Sequence, residues 1–304
     1  MENVKIFASC HNHSCYSDAD YTPEELVQIA KGLGHGGIIL TDHDTVSGTY
    51  FINKAARKNG MKSILGCEFT TYYAGKGIHL CGFDFNPDNQ KMKEILAYGS
   101  GVQTSRSEVL FKMGIERGTL RDGITWQEVR DAFPYNDYIC NNQVFKVMEA
   151  KGIYKHEEYD DLFLKPNFSY RLGLEDKVRE ITGKSYHDIN TADVIRAIRD
   201  AGGVPVVAHP VGLENIAEEL IDLGVMGFET RHSVFRADKG EHRVKSREFF
   251  EELCTSRTLY KMGGSDHEGD LGGLLDFGDA YYCPPELTGI TEEDFMNIYE
   301  RRLG

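Results

Sequence analysis

The chain is predicted to be an α/β protein, a βα barrel with a mainly helical subdomain inserted into it. Three observations in its 304 residues predict this. Short apolar β-forming runs alternate with amphipathic helices through the first 85 residues and again after the middle of the chain, the pattern of strands joined by helical crossovers. Five of those runs end in His, Asp or Glu, and a sixth carries a His within it. Between the two alternating regions lie about 100 residues of helical pattern with no convincing strand, too long for a loop in a compact domain.

The elements follow in order. IFASCHNH is the first strand, in which His11 and His13, two apart, project from one face. Thr22 opens the first helix: Pro23 suits its first position and Glu25 completes a T-x-x-E capping box. Leu26, Ile29, Ala30 and Leu33 form its apolar stripe, and Gly34 stops it. GIILTDHD is the second strand, bearing Asp42 and His43, and TVSGTYFINKAARKNG is the second helix. KSILGCEFTTYY is the third strand, with Glu68, and GIHLCGF carries His79. Residues 88–115 read as helix, Thr125 with Glu128 caps TWQEVRDAF, and Gly152 stops NNQVFKVMEAKG. Alternation resumes with TADVIRAIRDAGG, VPVVAHP (His209), NIAEELIDLG, VMGFETRH, a helix near 243–256 and LYKMGGSD (Asp266). The barrel is therefore assigned to residues 1–86 and 187–304, and the insert to 87–186.

Composition narrows the partners. The chain carries 34 basic and 48 acidic residues, a net charge of −14, which repels a long polyphosphate backbone. Short phosphorylated ligands fit such a surface better than long duplex nucleic acid. No apolar run reaches the ~18 residues of a membrane span, and the start lacks the pattern of a secretory signal. Seven scattered cysteines form no C-x-x-C pair and read as reduced core thiols, which places the protein in the cytoplasm. Neither a G-x-x-x-x-G-K-[ST] loop nor a G-x-S-x-G elbow is present. One His at a strand end is ordinary. Ligand-type side chains at the ends of six strands predict a multi-metal hydrolytic site at one barrel face.

Taken together, H-N-H-S-x-x-S-D, T-D-H-D-T-x-x-G, G-C-E-F, I-H-L-C-G-F, A-G-G-V-P-V-V-A-H-P and G-G-S-D resemble the PHP family, named for polymerase and histidinol phosphatase domains. The resemblance spans nearly the whole chain and is to the stand-alone phosphoesterase branch with a helical insert. It implies a distorted, TIM-like βα barrel of seven strands with an inserted cap, and two or three divalent ions, manganese first, with iron or zinc as alternatives. Carried onto this sequence, His11, His13, Glu68 and Asp266 would hold one ion. Glu68 would bridge to a second held by His79 and His209, and Asp18 with His43 would take the third. A bridging carboxylate suits two cations about 3.5–4 Å apart with a hydroxide between them as nucleophile, and imidazole with carboxylate suits Mn, Fe or Zn. The family ending S-D-x-H reads G-S-D-H-E-G here. Glu268 therefore completes the third site, because residues two apart in an extended segment share a face, or else a backbone shift delivers His267.

Other positions carry paired readings. Asp42 is an orienting carboxylate or a structural hydrogen-bond acceptor. Arg231 and His232 stand at the barrel mouth as a phosphate clamp and a proton donor to the leaving oxygen, or form a solvated loop pair. Arg106 matches a basic position in relatives that reaches substrate, or is an exposed helical Arg. The G-R-P-H of nucleotide-hydrolysing relatives is replaced by Asn141, Asn142 and Gln143, with Asn142 taken as a substrate contact. The catalytic set expected is Glu68, Asp266 and His232. The implied activity is a metal-dependent phosphoesterase on a small phosphorylated nucleotide or sugar phosphate. Nucleoside 3′,5′-bisphosphate and a cyclic phosphate of ribose 5-phosphate lead; an exonuclease on short oligonucleotides and a non-catalytic metal-stabilised scaffold are the alternatives.

Overall fold

The computed structural model describes residues 5–159, 162, 175–266 and 285–303. The first half contains β1 (Ala8–Ser9), α1 (Pro23–Gly32), β2 (Gly37–Ile38), α2 (Thr49–Lys58), β3 (Gly66–Tyr73) and β4 (Lys76–Phe83). Then come α3 (Gln90–Glu116), α4 (Trp126–Ala132), α5 (Asn141–Ala150) and α6 (Glu175–Thr182). The remainder is α7 (Thr191–Asp200), β5 (Val204–Val207), α8 (Ala217–Asp222), β6 (Gly227–His232), α9 (Glu241–Arg257), β7 (Tyr260–Gly264), α10 (Pro285–Thr288) and α11 (Glu292–Tyr299).

Capping chemistry sets the helix starts where the sequence places them. Thr22 N–H donates to Glu25 Oε2 at 2.8 Å while Glu25 N–H donates to Thr22 Oγ1 at 3.3 Å, and the same reciprocal box forms at Thr125 and Glu128. The buried face of α1 is Leu26, Val27 and Ala30, whereas the expected Leu33 is 39% exposed, because it lies past the last helical turn as the C-cap. One helix escaped the sequence reading. In α11, Thr291 caps Asp294, and Phe295 and Ile298 are buried, so closely that a Cβ on Gly37 would lie 2.8 Å from the Phe295 ring.

The strands form two sheets among the described residues, a parallel pair β1–β2 and a five-stranded sheet in the order β3-β4-β5-β6-β7. These two sheets do not confirm the seven-stranded barrel expected. The all-parallel expectation fails, because β3 pairs with β4, and β4 with β5, antiparallel. The cause of the first reversal is a two-residue hairpin, Ala74 (φ 48°) and Gly75 (φ 80°), both left-handed as a type I′ turn requires. A few backbone bonds join the sheets: Cys10 N–H to Gly263 O (2.9 Å) and Asp266 N–H to His11 O (3.1 Å) on one side, Asp44 N–H to Glu68 O (2.8 Å) and Glu68 N–H to Thr41 O (3.2 Å) on the other. The predicted long first strand stops at Ser9 for a local reason. Beyond it Asn12 Nδ2 donates to Ser9 O (3.1 Å) and Ile39 O (2.8 Å), and Asn12 N–H donates to Thr41 Oγ1 (3.1 Å). Side-chain partners replace the ladder just where ligand-type residues begin.

Apolar packing divides along α3. Met92 and Ile95 at its start join the cluster under the five-stranded sheet with Phe69, Ile198 and Phe228. Val109, Leu110 and Met113 at its end join a separate cluster with Phe145, Met148 and Tyr154. Where α3 crosses the β2–α2 loop it has Gly99, and a Cβ there would meet the Asp44 Cγ at 2.6 Å. Asp44 is buried, and burial drives its carboxyl up to about 8. Replacing Gly99 by Ala should lower thermal stability by about 1–3 kcal/mol through overpacking against Asp44. A melting temperature equal to or above wild type, as Ala's better helix propensity of about 1 kcal/mol alone would give, would contradict the close contact.

Candidate metal centre

The ends of the strands deliver eight predicted ligands to one place. Four groups of donors lie close enough to share an ion, each with its ligand atoms within 4.8 Å of one another. They are His11, His13, Glu68 and Asp266; His13, Asp18 and His43; His43, Glu68 and His79; and His11, Cys81 and Glu229. Glu68 on β3 is the hub, and its two oxygens face different partners. Oε2 lies 3.1 Å from His11 Nε2, 3.3 Å from His13 Nε2 and 3.1 Å from His43 Nδ1. Oε1 lies 2.9 Å from His79 Nδ1 and 3.0 Å from His209 Nε2. Asp266 Oδ1 sits 2.8 Å from His13 Nε2, and Asp18 Oδ2 3.4 Å from His43 Nε2. The side chains of His11, His13 and Glu68 are wholly enclosed, while His79 and His209 are 31% and 27% exposed. The cluster therefore opens on the His79 and His209 side.

Backbone geometry aims several of these groups. His209 (φ 31°) and Asp266 (φ 56°) leave their strands in the left-handed region, a strain typical of functional loops. The same φ at Asp266 removes the extended backbone on which the alternation argument for Glu268 depended. Glu268 and His267 themselves lie outside the described residues.

One residue that sequence reasoning missed is Glu229 on β6, buried and within the same motif as Arg231 and His232. Its Oε1 is 2.8 Å from His11 Nδ1, and its Oε2 accepts the His209 backbone N–H at 2.6 Å. A carboxylate that accepts a hydrogen bond from Nδ1–H fixes the ring proton there and leaves Nε2 as the ligand atom. The sequence signal was there: a Glu inside an apolar strand run. A bulge in β6 between Glu229 and Arg231 then changes the alternation, so that Glu229 and His232, three apart, both face inward. Arg231, between them, lies near Arg247 and Asp294. His232 is 2% exposed; its Nδ1 accepts the Val234 N–H (3.0 Å), which places the ring proton on Nε2, 3.4 Å from Asp266 Oδ2. It is placed to position Asp266 and does not reach the opening as a proton donor.

The insert grips the ligand loop. Asn142 Nδ2 donates to Asp18 O, Gln143 Nε2 donates to Ser17 O, and Asn136 Nδ2 donates to Cys15 O at 2.7 Å. Asn142 is buried, so it holds the loop instead of lining the opening as a substrate contact. Asp42 fills the structural one of its two readings: it accepts from Ser14 N–H (2.6 Å), Ser17 Oγ (2.7 Å) and Ser14 Oγ (2.7 Å), fixing the turn that carries Asp18. Arg106 lines a cavity beyond Tyr186.

The electrostatics are those of a site built for cations. Burial alone pushes the His11 and His13 imidazoles down, but the surrounding anions, Glu68 and Asp266 among them, more than reverse this and leave both well above the usual range. Burial pushes Glu68 and Asp266 up, and the surrounding imidazoles pull both well below the carboxylate range. His43, pressed by burial and by neighbouring His13 and His79, is lowered. Although these donors crowd together, His11 Nε2, His13 Nδ1, His43 Nδ1 and Glu68 Oε2 are buried without an aligned hydrogen-bond partner. Buried donor atoms left unpartnered within a converging set of nitrogen and oxygen ligands fit divalent transition ions.

Comparison with known proteins agrees. Residues 9–174 match the PHP domain family, and the chain belongs to it. It is 27% identical to the 5′-3′ exoribonuclease Rnm of Escherichia coli K12, covering 99% of each chain. It is 23% identical to the 3′,5′-nucleoside bisphosphate phosphatase of Chromobacterium violaceum, covering 96% of each. A solved metal-dependent phosphoesterase structure from Bifidobacterium adolescentis superposes with a TM-score of 0.72 at 22% identity over 98% of each chain, which supports the fold. The family, with its curated phosphatase and exonuclease relatives, places the chain among hydrolases of phosphoric esters.

Two substitutions separate the bridging carboxylate from its support. Glu68→Gln should cost bound metal and all measurable turnover with the circular dichroism unchanged, whereas Glu229→Gln should weaken metal affinity about 10- to 100-fold and keep every ligand. Elemental analysis showing full metal in Glu68→Gln, or wild-type affinity in Glu229→Gln, would refute these roles. Because the neighbouring carboxylates raise His11, His13 and His209, protons compete with an ion for these imidazoles. Metal affinity should rise with pH, and calorimetric heats should vary with buffer ionisation enthalpy; heats independent of buffer would contradict this.

Proposed function

We propose that this PHP-domain protein is a metal-dependent phosphoesterase that hydrolyses a phosphate ester on a small nucleotide. The substrate class is a nucleoside bisphosphate or the 5′ end of a short oligonucleotide. The observation that carries the reading is Glu68: one enclosed carboxylate whose two oxygens each face a separate histidine set.

His11, His13, Glu68 and Asp266 would hold one divalent ion, Glu68 with His79 and His209 a second, and Asp18 with His43 a third. Manganese suits this donor set, with iron and zinc as alternatives. When bound, such ions supply Lewis-acid activation of water and neutralise phosphoryl oxygens. The residues do the positioning. Glu229 retains a proton at His11 Nδ1, and His232 keeps one at Nε2 toward Asp266, so each ligand presents a lone pair in a fixed direction. Exposure of His79 and His209 makes theirs the side from which the ester would enter. The segment 87–186 serves as a cap whose α5 holds the Asp18 loop, which ties the third donor group to the insert. Among the described residues no helix is long and apolar enough to cross a membrane.

Steady-state assays with manganese-loaded protein across mono-, bis- and cyclic phosphates and a short 5′-phosphorylated RNA test the reading. The highest kcat/KM is expected for an ester with two phosphates about a ribose, and chelation should abolish turnover. A metal-replete protein that turns over none of these esters would instead be a scaffold.

A further inference from the structure

Beside the metal centre lies a second concave site. A cavity of about 330 Å³ between α3, α6 and the turn after α6 is lined by Arg106, Arg179, Lys184, Tyr186 and His187, with Val102 beneath them. No carboxylate lines it among the described residues. Arg179 pairs with Asp188 at 3.0 Å. Clustering cations this way opposes the −14 net charge of the chain, so the local field differs in sign from the global one.

The cationic groups are held in place. Lys184 N–H donates to Thr182 Oγ1 (3.2 Å), and its Nζ crosses α3 at Gly101, where a Cβ would lie 3.2 Å away. His187 is stacked on Tyr72 with ring centroids 4.2 Å apart. Tyr186 lines the cavity, and Tyr138 stands beside the metal centre. Burial pushes both phenols well up, and Asp18 adds to this in each case, so both stay neutral. The Tyr138 ring lies 6.0 Å from that of His43.

We propose that this cavity is an anion subsite holding a second phosphate group of the substrate, one that is not hydrolysed. The inference rests on the phosphoesterase reading and narrows it to substrates with two phosphoryl groups. Both phosphates on one ribose, or on neighbouring residues of a short oligonucleotide, present the same chemistry to the cavity. Lysine supplies a point charge and arginine a planar fork, the two recurrent ways of holding a phosphate.

The test uses Lys184→Gln and Arg179→Gln, singly and together, in the metal-loaded full chain. With a nucleoside 3′,5′-bisphosphate and a 5′-phosphorylated dinucleotide, KM should rise about tenfold or more at nearly constant kcat, and both constants for 4-nitrophenyl phosphate should stay unchanged. Loss confined to the dinucleotide assigns the cavity to the oligonucleotide backbone, and loss with both assigns it to a terminal phosphate. Equal loss on the aryl phosphate, or no loss on either nucleotide, overturns the subsite. Titration of the chelator-treated chain with inorganic phosphate reads the cavity without turnover: the double variant should bind about tenfold or more weakly than wild type. Unchanged phosphate binding would overturn the subsite even if turnover were never found. Absence of all ester hydrolysis alongside lost phosphate binding would refute the phosphoesterase reading alone.

Discussion

Everything in this molecule turns on one buried carboxylate. Glu68 is fully enclosed, and an isolated ionised carboxylate there would be strongly destabilising. Five imidazoles within 3.3 Å of its oxygens make it tolerable, and they come from four separate chain segments. The fold is thus obliged to bring β1, β2, β3, β4 and β5 to one point. A cluster assembled from such distant segments links metal binding to folding, because no part of it exists in the unfolded chain.

The inner face is served by two support systems of different origin. Glu229 and His232, both aimed inward by the bulge in β6, orient His11 and Asp266 from below. From the side, Asp42 and the α5 amides of Asn142 and Gln143 fix the Ser14–Asp18 turn. The segment that carries α5 is therefore part of how the turn bearing Asp18 is held.

The sequence made the ligands legible because the chemistry is local: an apolar run followed by His, Asp or Glu is visible without any tertiary knowledge. Helix starts were legible for the same reason, since the boxes at Thr22 and Thr125 are closed within four residues. What stayed hidden depends on pairing. The antiparallel turn at Ala74–Gly75 contradicted the crossover pattern, and Asn12 ended a ladder that apolar composition alone would extend. The bulge put Glu229 and His232 on the same inward side, because a single extra residue changes side-chain parity in a strand. Glu229 was passed over beside a more conspicuous Arg and His. The helix α11 was missed because the strand pattern had already been completed at Asp266.

Diffraction from a manganese-loaded crystal, with anomalous scattering measured at the metal edge, tests the central claim most directly. The account predicts ions on both sides of Glu68, one beside His11, His13 and Asp266 and another beside His79 and His209. Density showing no ion next to Glu68, with the imidazoles still in direct contact with its oxygens, would contradict it.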